Sequence, residues 1–445
     1  MRWTGLFFVL LISLTSTAQE NSPYSRYGIG DLVPNQNIIN RGMGGISGGY
    51  SDYQSINTIN PATYGNFSAY YPLTGGMRPL NTVFEIGSET DIRVLKNTNP
   101  AKKFTNTNAL FSYLQIGFPI ASKKMERKGI NWGAVIGFKP ISRINYNIEK
   151  RERTSIDSLF TQYQGSGGAT QFFIGTGVKI KKFSFGINTG YMFGNKDYNT
   201  RLTFINDTVD YYRSNSATKT HYGGIFLNAG IMYEIGLKHN GALRLGAYGS
   251  LKQNLKASQD IIRETFVYDA NSNDRFRVDS VYEKPGIKGT LVYPSTFGFG
   301  FTWIEGAGNW LAGADFETTM WKDYRFYGQP DFLQNNWTIR AGAQYLPYRV
   351  NSPTKKYLKT VRYRAGFNYS PGYLKLGTTN LPEYTATIGA GFPLTGRFLG
   401  EYVILNTALE VGSRGTKSNL VRDNTTRFSI GLSMNARWFE KRKYD

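Results

Sequence analysis

Residues 427–439 read RFSIGLSMNARWF, and this stretch decides the fold. Apolar side chains occupy every second position from Phe428 to Trp438, and small or polar side chains fill the positions between them. Because successive side chains of an extended strand point to opposite faces, the segment predicts a strand with one apolar and one polar face. The same alternation recurs at residues 130–139, 183–193, 225–235, 297–303 and 361–369.

The alternating segments are long, and aromatic residues stand near their ends. Many exceed the length of about 5–6 residues that is usual for strands of globular proteins. Crossing the apolar band of an outer membrane takes about 9–11 tilted residues, with aromatic girdles at both interfaces. We therefore predict an all-β fold, a transmembrane antiparallel β-barrel of about 14 strands, rather than a soluble all-β protein. The aromatic residues near strand ends are Trp132, Tyr191, Trp310, Tyr345, Tyr369 and Trp438.

The connections between the segments differ in length. Short connections predict periplasmic turns, and long polar ones predict extracellular loops. The short ones are 181–182, 239–240 and 306–309, and the long ones are 147–167, 200–217 and 258–285. The predicted strands lie near 81–94, 104–120, 130–146, 168–181, 183–199, 218–237, 241–257, 286–303, 309–325, 332–346, 359–371, 383–393, 400–413 and 425–439.

The N-terminus has the three parts of a secretory signal peptide. Arg2 supplies a positive charge, residues 6–14 form an apolar stretch, and Ser16-Thr17-Ala18 supply small residues before a cleavage site. We predict a signal peptide over 1–18, since a membrane-spanning helix needs about 20 apolar residues. A cleaved signal followed by a barrel predicts insertion into the outer membrane of a Gram-negative bacterium.

The composition narrows the possible sites and partners. The chain has no cysteine, which excludes disulfides, thiolate metal sites and a lipid-modified cysteine. It carries 52 Lys and Arg against 31 Asp and Glu, a formal net charge of +21. Because these basic residues are spread along the chain, they suit anionic outer-membrane lipid and lipopolysaccharide rather than nucleic acid.

Residues 19–80 lack the alternation and are rich in Gly, Asn, Ser, Pro and Tyr. The run 41–49 reads RGMGGISGG, and Asn60-Pro61-Ala62 follows it, which argues against a long helix or strand. Apolar residues of the kind found in cores are interspersed, which argues against a disordered tail. We predict a compact plug over 19–80, the barrel over 81–439 and a basic tail over 440–445.

The order Arg-Gly-x-Gly-Gly, then Asn-Pro-Ala, resembles the N-terminal hatch of the FadL-type long-chain fatty-acid transporters. The opening Ser22-Pro23-Tyr24-Ser25-Arg26-Tyr27-Gly28 and the closing residues 435–443 resemble a Bacteroidota branch of that family. The resemblance implies a hatch that blocks the lumen and moves to open a path for hydrophobic cargo, which leaves sideways through the wall. The hatch residues that it assigns are Arg41, Gly44, Gly45, Asn60, Pro61 and Ala62.

Aromatic and basic residues cluster in the predicted loop 258–285. An apolar pocket with an Arg or Lys at its mouth suits an amphipathic carboxylate, so this loop is a candidate binding site. The alternative is that these side chains only pack the loop against itself. The candidate ligand-binding residues are Phe266, Tyr268, Arg275, Phe276, Arg277 and Tyr282.

Catalytic and metal sites are not expected. Residues 45–49 match the Gly-x-Ser-x-Gly pattern of hydrolases, but that elbow must lie between a strand and a helix. The two histidines, His221 and His239, are not well placed to serve as a general base for Ser47. No cluster of His, Asp and Glu at ligand spacing is visible, so we predict neither a metal nor another cofactor.

Two functions of different classes stay open. The first is a monomeric channel that takes up hydrophobic or amphipathic small molecules and is gated by the plug. The second is a non-transporting barrel that serves as a subunit or scaffold of a larger outer-membrane complex. The resemblance favours the first. A transporter needs a movable plug, whereas a scaffold tolerates a locked one.

Overall fold

The computed structural model describes most of the predicted plug, which keeps that name below, and most of the barrel. The predicted signal peptide, the predicted basic tail and the last part of the predicted plug lie outside the described residues. The described residues are 22–68, 82–98, 101–120, 124–125, 128–155, 157–205, 209, 211–268, 275–348, 356–377, 379–395, 402–416, 419 and 421–436.

Fourteen antiparallel strands form one closed barrel, as the sequence predicts. They are β1 (Thr82–Thr98), β2 (Ala101–Pro119), β3 (Ile130–Arg153), β4 (Ser158–Ile180), β5 (Phe183–Ile205), β6 (Arg213–Gly236), β7 (Ala242–Ser250 and Gln253–Tyr268), β8 (Arg275–Tyr293 and Thr296–Ile304), β9 (Trp310–Thr319), β10 (Asn336–Tyr345), β11 (Arg362–Ser370), β12 (Glu383–Thr395), β13 (Tyr402–Arg414) and β14 (Val421–Ala436). The ring closes where β1 pairs with β14, from Thr82 opposite Ala436 to Asn97 opposite Val421.

The alternation has the physical meaning that the sequence predicts. On β14, Phe428 and Ile430 are 45% and 44% exposed and point outward, whereas Ser429 and Ser433 are 0% and 2% exposed and point into the barrel. An apolar outer face suits lipid, and a polar inner face suits a water-filled or plugged lumen.

The predicted long loops at 147–167, 200–217 and 258–285 are wrong. The strands continue through most of these residues: β3 and β4 form one hairpin with a register that ends at Arg153 opposite Ser158. The extensions lack the regular contrast between an apolar and a polar face that marks a membrane strand. Their backbone ladder nevertheless continues, because strand pairing needs no apolar face where water solvates both sides.

The barrel wall has unequal height around the ring. β3 and β6 are 24 residues long, whereas β9 and β10 have 10 residues each. We call the end that carries the β3–β4 hairpin the upper end. Thr82 and Ala436, where the barrel begins and closes, lie together at the lower end. This is the usual arrangement of an even-stranded outer-membrane barrel, so we take the lower end as periplasmic.

Helical elements are short. None of the helices in the described ranges is long and apolar enough to cross a membrane. They are one α-helical turn, Ile38–Arg41, and the 3₁₀ turns Pro23–Arg26, Pro61–Ser68, Lys238–Asn240, Trp321–Asp323 and Tyr357–Lys359.

Candidate functional site

The described part of the plug forms two layers against the inner wall. We call residues 22–33 the upper layer and residues 38–68 the lower layer. In the upper layer, the Ser22 amide donates to the Asn145 carbonyl of β3, and the Tyr24 hydroxyl donates to the Val421 carbonyl of β14. The layer also reaches β5, where Lys196 Nζ lies 2.7 Å from the Gly28 carbonyl oxygen.

Much of the lower layer touches the wall through its backbone. Gly44 has a φ of +68°, and a Cβ there would lie 2.6 Å from the Ala341 carbonyl oxygen and 2.7 Å from the Phe367 nitrogen. A Cβ on Gly366 of β11 would collide with the Gly44 nitrogen. Glycine is therefore required both in the plug and on β11 at this contact, because no side chain fits between the two backbone segments.

The six predicted hatch residues come together in the lower layer. Asn60 Nδ2 donates to the Gly48 carbonyl at 2.7 Å and so joins the Asn-Pro-Ala motif to the glycine-rich run. The Pro61 and Ala62 backbone rests against Gly186 of β5, where no Cβ would fit. The short helix Ile38–Arg41, capped by the Asn37 side chain, places Arg41 at the edge that faces β1 and β13.

Arg41 ties the plug to two strands through buried charges. Its side chain is 1% exposed, Nη1 lies 2.6 Å from Glu89 of β1, and Nη2 lies 2.7 Å from Glu410 of β13. Burial alone lowers the pKa of Arg41, but Glu410 and Glu89 outweigh it and raise the pKa above its ordinary value. Removing one member of such a buried pair costs about 3–5 kcal/mol.

Asp31 forms the second charged junction of the plug. It accepts from Arg93 Nη1 of β1 at 2.7 Å and from Arg414 Nη1 of β13 at 2.8 Å. Burial raises the pKa of Asp31, but the two guanidinium groups outweigh it and hold the pKa well below its ordinary range. The carboxylate is therefore charged at neutral pH, and the upper layer is pinned between two wall arginines.

The wall contains a seam between β2 and β3. The two strands pair only from Leu114 opposite Phe138 to Pro119 opposite Gly133, which is the lower part of each strand. Above this point, residues 101–113 of β2 and 139–153 of β3 do not pair with each other. The plug replaces β2 there, because the two-residue strand Asp31–Leu32 pairs with Arg143 and Ser142 of β3.

Arg143 bridges the seam from β3. Its Nη2 donates to the Phe111 carbonyl of β2 at 2.8 Å, and its Nη1 donates to Glu89 of β1 at 3.0 Å. On the outer side of the seam, the exposed rings of Phe111 and Phe138 lie 5.9 Å apart. The seam thus has an apolar outer rim and a charged inner rim.

A cavity of about 350 Å³ lies between the two plug layers. Residues 32–36 line it on the upper side, and Gly44, Gly45, Thr58 and Ile59 line it on the lower side. The barrel contributes mainly polar and charged side chains, among them Arg93, Lys139, Glu317, Arg340, Glu410 and Arg427. A polar head group suits this cavity better than a hydrocarbon does.

The candidate residues of the predicted loop 258–285 lie on the upper ends of β7 and β8. Phe266 is buried, whereas Tyr268, Phe276 and Tyr282 are exposed. Arg275 and Arg277 both contact Glu264, at 3.2 and 2.8 Å. The two arginines are thus engaged with a neighbouring carboxylate.

Two sequence signals for the seam went unused in the sequence analysis. Pro140 has no amide hydrogen, and the β2–β3 ladder ends two residues before it. On β4, Gly167 and Gly168 have φ values of 131° and 138° and lie next to a register shift between Pro140 and Ser142 of β3. A proline and a glycine pair in adjacent strands mark a break in the wall.

Ser47 has structural partners in the lower layer and on the wall. The Ser47 hydroxyl donates to the Gly45 carbonyl, and its amide donates to Asp315. It therefore sits in a turn of the lower layer, not between a strand and a helix. Within the described ranges, no group of three or more His, Cys, Asp and Glu could hold a metal ion.

Comparisons with known proteins support the fold. The model of the BamG family matches residues 2–445. No curated protein matches the chain. The P. putida toluene transporter TodX superposes with a TM-score of 0.55 at 12% identity, over 94% of this chain and 100% of that one. A Pseudomonas aeruginosa FadL homologue gives 0.53 at 12%, over 92% and 99%.

A third solved structure, the Ralstonia pickettii toluene transporter TbuX, gives a TM-score of 0.51 at 14% identity, over 92% of this chain and 98% of that one. At these identities the likeness concerns the fold. The predicted FadL-type barrel is thus confirmed as a fold, and the Bacteroidota branch stays a prediction.

Proposed function

The chain belongs to the BamG family, and we propose that its barrel takes up amphipathic small molecules through the seam between β2 and β3. In this proposal the plug is the gate. The proposal extends to this chain what the names of the neighbours say of those proteins, two of them toluene transporters and one a FadL homologue.

The seam is the observation that carries the proposal. A closed ladder would satisfy every backbone group of the wall, and unpaired groups in an apolar medium cost several kcal/mol each. Here the ladder between β2 and β3 stops at Leu114 and Phe138, and a removable segment, Asp31–Leu32, occupies the β3 edge. A wall that can open sideways next to the plug gives cargo a route to the membrane.

The cavity and the rim of the seam favour a cargo with two kinds of surface. The cavity presents charged groups such as Arg93 and Arg427, which suit a polar or anionic head. Phe111 and Phe138, at the outer rim, suit an apolar tail. An amphipathic molecule matches both, whereas a pure hydrocarbon would leave the cavity's polar groups unpaired.

A disulfide that locks the upper layer to the wall tests the proposal. The chain has no cysteine, so Leu32→Cys with Ser142→Cys creates a single cross-link between residues that already pair. We expect the oxidised variant to lose uptake of radiolabelled oleate by cells, and a reductant to restore it. A matched control is Ser413→Cys with Asn424→Cys, which joins two neighbouring wall strands at the upper end.

The outcomes separate the candidate functions. Loss of uptake in the plug cross-link, with normal uptake in the wall cross-link, supports the gated seam. Unchanged uptake with the plug locked contradicts it. If neither variant nor the wild type promotes uptake above cells that lack the protein, transport of this class of cargo is excluded.

A second candidate function, a docking barrel in a larger outer-membrane complex, is favoured by the upper end of β8. Residues 275–290 pair with β7 on one edge. On the other edge, among the described residues, Tyr327 donates to the Ile287 and Thr290 carbonyls, and strand pairing begins at Leu291 and Val292, opposite Phe326 and Arg325. Both faces of this extension are exposed. Apolar side chains on it include Phe276, Val278, Val281 and Tyr282.

Such an extension suits a protein partner that binds through side chains. Contiguous exposed apolar residues above a membrane mark an interaction surface. Lys284, Pro285 and three register shifts hinder the addition of a further strand at this edge. The partner would therefore contact the apolar faces of the hairpin rather than extend its sheet.

Native mass spectrometry of the protein, gently extracted from its own membrane, tests this second candidate. We expect Val281→Asp with Phe276→Asp to remove a co-purified protein while the barrel stays folded. Tyr212→Asp, a control at a site 63% exposed beside the neighbouring hairpin, leaves the complex intact. A monomer in the wild type rules out the docking role under these conditions.

A further inference from the structure

Glu89 of β1 stands where the plug and the seam meet. Its side chain is 0% exposed. One carboxylate oxygen accepts from Arg41 of the plug at 2.6 Å, and the other accepts from Arg143 of β3 at 3.0 Å. The Ser112 hydroxyl of β2 donates to the same oxygen as Arg41, at 2.9 Å, and so fixes the orientation of the carboxylate.

The two arginines reach Glu89 from the plug and from the seam. Arg41 belongs to the plug, and Arg143 is the side chain that crosses the seam to the Phe111 carbonyl. A single buried carboxylate therefore holds the plug seated and the seam closed. We propose that Glu89 is the positioning residue through which the seating of the plug and the closure of the seam depend on each other.

The neighbouring charges decide how strong this dependence is. Arg427 of β14 is the third guanidinium near Glu89, at 3.9 Å, but it is already engaged with Asp91 at 2.5 Å. Arg41 also has Glu410, and Arg427 reaches the same Glu410 at 3.4 Å. Glu89 thus keeps one close cation when either Arg41 or Arg143 leaves, and it keeps none when both leave.

This arrangement predicts cooperativity with a definite sign. Removing one arginine leaves the carboxylate compensated by the other, so the cost is moderate. Removing both leaves a buried carboxylate with only the distant, already paired Arg427, which costs more than the sum of the single losses. The two sites must therefore behave as coupled when Glu89 is charged, and as independent when it is replaced by an uncharged residue.

Thiol labelling measures the coupling without any cargo. Leu32→Cys places a reporter in the plug strand that lies on the β3 edge, in a chain with no other cysteine. The rate of reaction with a maleimide reports how often this strand leaves the seam. Thr63→Cys, buried in the lower layer, is the control reporter for general loosening of the plug.

We expect Arg41→Met and Arg143→Met each to raise labelling at the Leu32 position. Together they should exceed the product of the two single increases by about threefold or more. In the Glu89→Gln background, the increase in labelling for the double arginine variant should equal the product of the two single increases measured in that same background. Glu89→Asp keeps the charge and should restore part of the non-additivity. The Thr63 reporter should stay unchanged throughout.

Two results would overturn the proposal. The first is additive behaviour of the two arginine variants with Glu89 in place. The second is an equal rise at the Leu32 and Thr63 reporters, which means that the barrel has only been loosened. If the double variant does not insert, the effect of Arg143→Met alone decides, since it must shrink in the Glu89→Gln background.

The inference deepens the proposed function and rests on it, because the coupling serves transport only if cargo passes through the seam. The coupling itself can be measured without transport. The labelling experiment needs no transported molecule. Coupling without uptake would mean that Glu89 links the plug to the seam in a barrel that does not take up oleate. Uptake without coupling would mean that cargo passes through the seam and that Glu89 does not control its opening.

Discussion

The two layers of the plug are held by opposite means. The lower layer presses glycine backbone onto the wall, as at Gly44 and Gly366, where no side chain fits on either surface. The upper layer reaches the wall through ion pairs and hydrogen bonds, with Asp31 between two arginines. Apart from the ion pairs of Arg41 at its edge, the lower layer is held mainly by shape, whereas the upper layer is held mainly by charge.

The difference has consequences for movement. Close packing is lost within a fraction of an ångström, so a layer held by shape is either seated or displaced. Ion pairs act over a longer distance, and their partners can be replaced by water or by another charged group. We therefore expect the upper layer to be the part that moves, with the lower layer as its fixed base.

The largest effect is expected where shape holds the plug. Gly366→Ala places a methyl group into the Gly44 backbone, so the wall or the lower layer must shift. We expect a loss of about 3 kcal/mol or more in the free energy of unfolding, beyond the usual range for overpacking a side chain. Urea unfolding in detergent micelles, followed by the heat-modifiable band in gel electrophoresis, measures it.

The control for this prediction is a wall glycine with space around it. A Cβ on Gly236 would meet nothing within 4 Å, so Gly236→Ala should leave the unfolding midpoint unchanged. Equal effects at both positions would show that backbone flexibility matters here and contact with the plug does not. The distinction between the layers would then fail.

The barrel was more predictable than its contents. Alternation at residues such as Phe428 and Ser429 depends only on neighbouring positions, because lipid lies on one side and the lumen on the other. The strand extensions beyond the membrane lack this contrast, so the sequence analysis took them for loops. Arg41 stood out through its glycine-rich context.

The acidic partners of Arg41 were out of reach of sequence reasoning. Glu89 and Glu410 lie 48 and 369 positions away along the chain, and only the closed ring brings them together. A buried charged residue in a strand looks like any inward-facing polar residue until its partner is known. Pro140 was the readable sign of the seam, since a proline inside a long strand interrupts the ladder.

A smaller effect is expected where charge holds the plug. Asp31→Asn removes the carboxylate, but Arg414 keeps Glu383 at 2.5 Å and Arg93 keeps Asp423 at 3.4 Å. We expect a loss of about 2 kcal/mol at neutral pH, below the usual cost of a fully broken buried pair. The same urea experiment measures it, and Leu32→Cys labelling should rise in parallel.

The pH dependence of the free energy of unfolding tests the same prediction a second time. The pKa of Asp31 in the folded protein lies well below its unfolded value, so its stabilising contribution is complete above about pH 4 and is lost as the pH falls further. The wild type should therefore lose more stability than Asp31→Asn between pH 5 and pH 3. Parallel losses would mean that the charge of Asp31 does not hold the upper layer.

The smallest effect is expected within the lower layer, at an ion pair that is more exposed than those of Arg41. Arg362 Nη1 of β11 lies 3.0 Å from Asp52, with side chains 18% and 14% exposed. Asp52 also accepts from the Gln54 amide at 3.1 Å, so Arg362→Gln leaves the carboxylate hydrogen-bonded and close to water. We expect a loss of about 1 kcal/mol in the free energy of unfolding, with no change in Leu32→Cys labelling. A loss as large as that of Asp31→Asn would mean that charge holds the lower layer at Asp52 as well as at Arg41, and that the glycine contacts do not suffice to keep it seated.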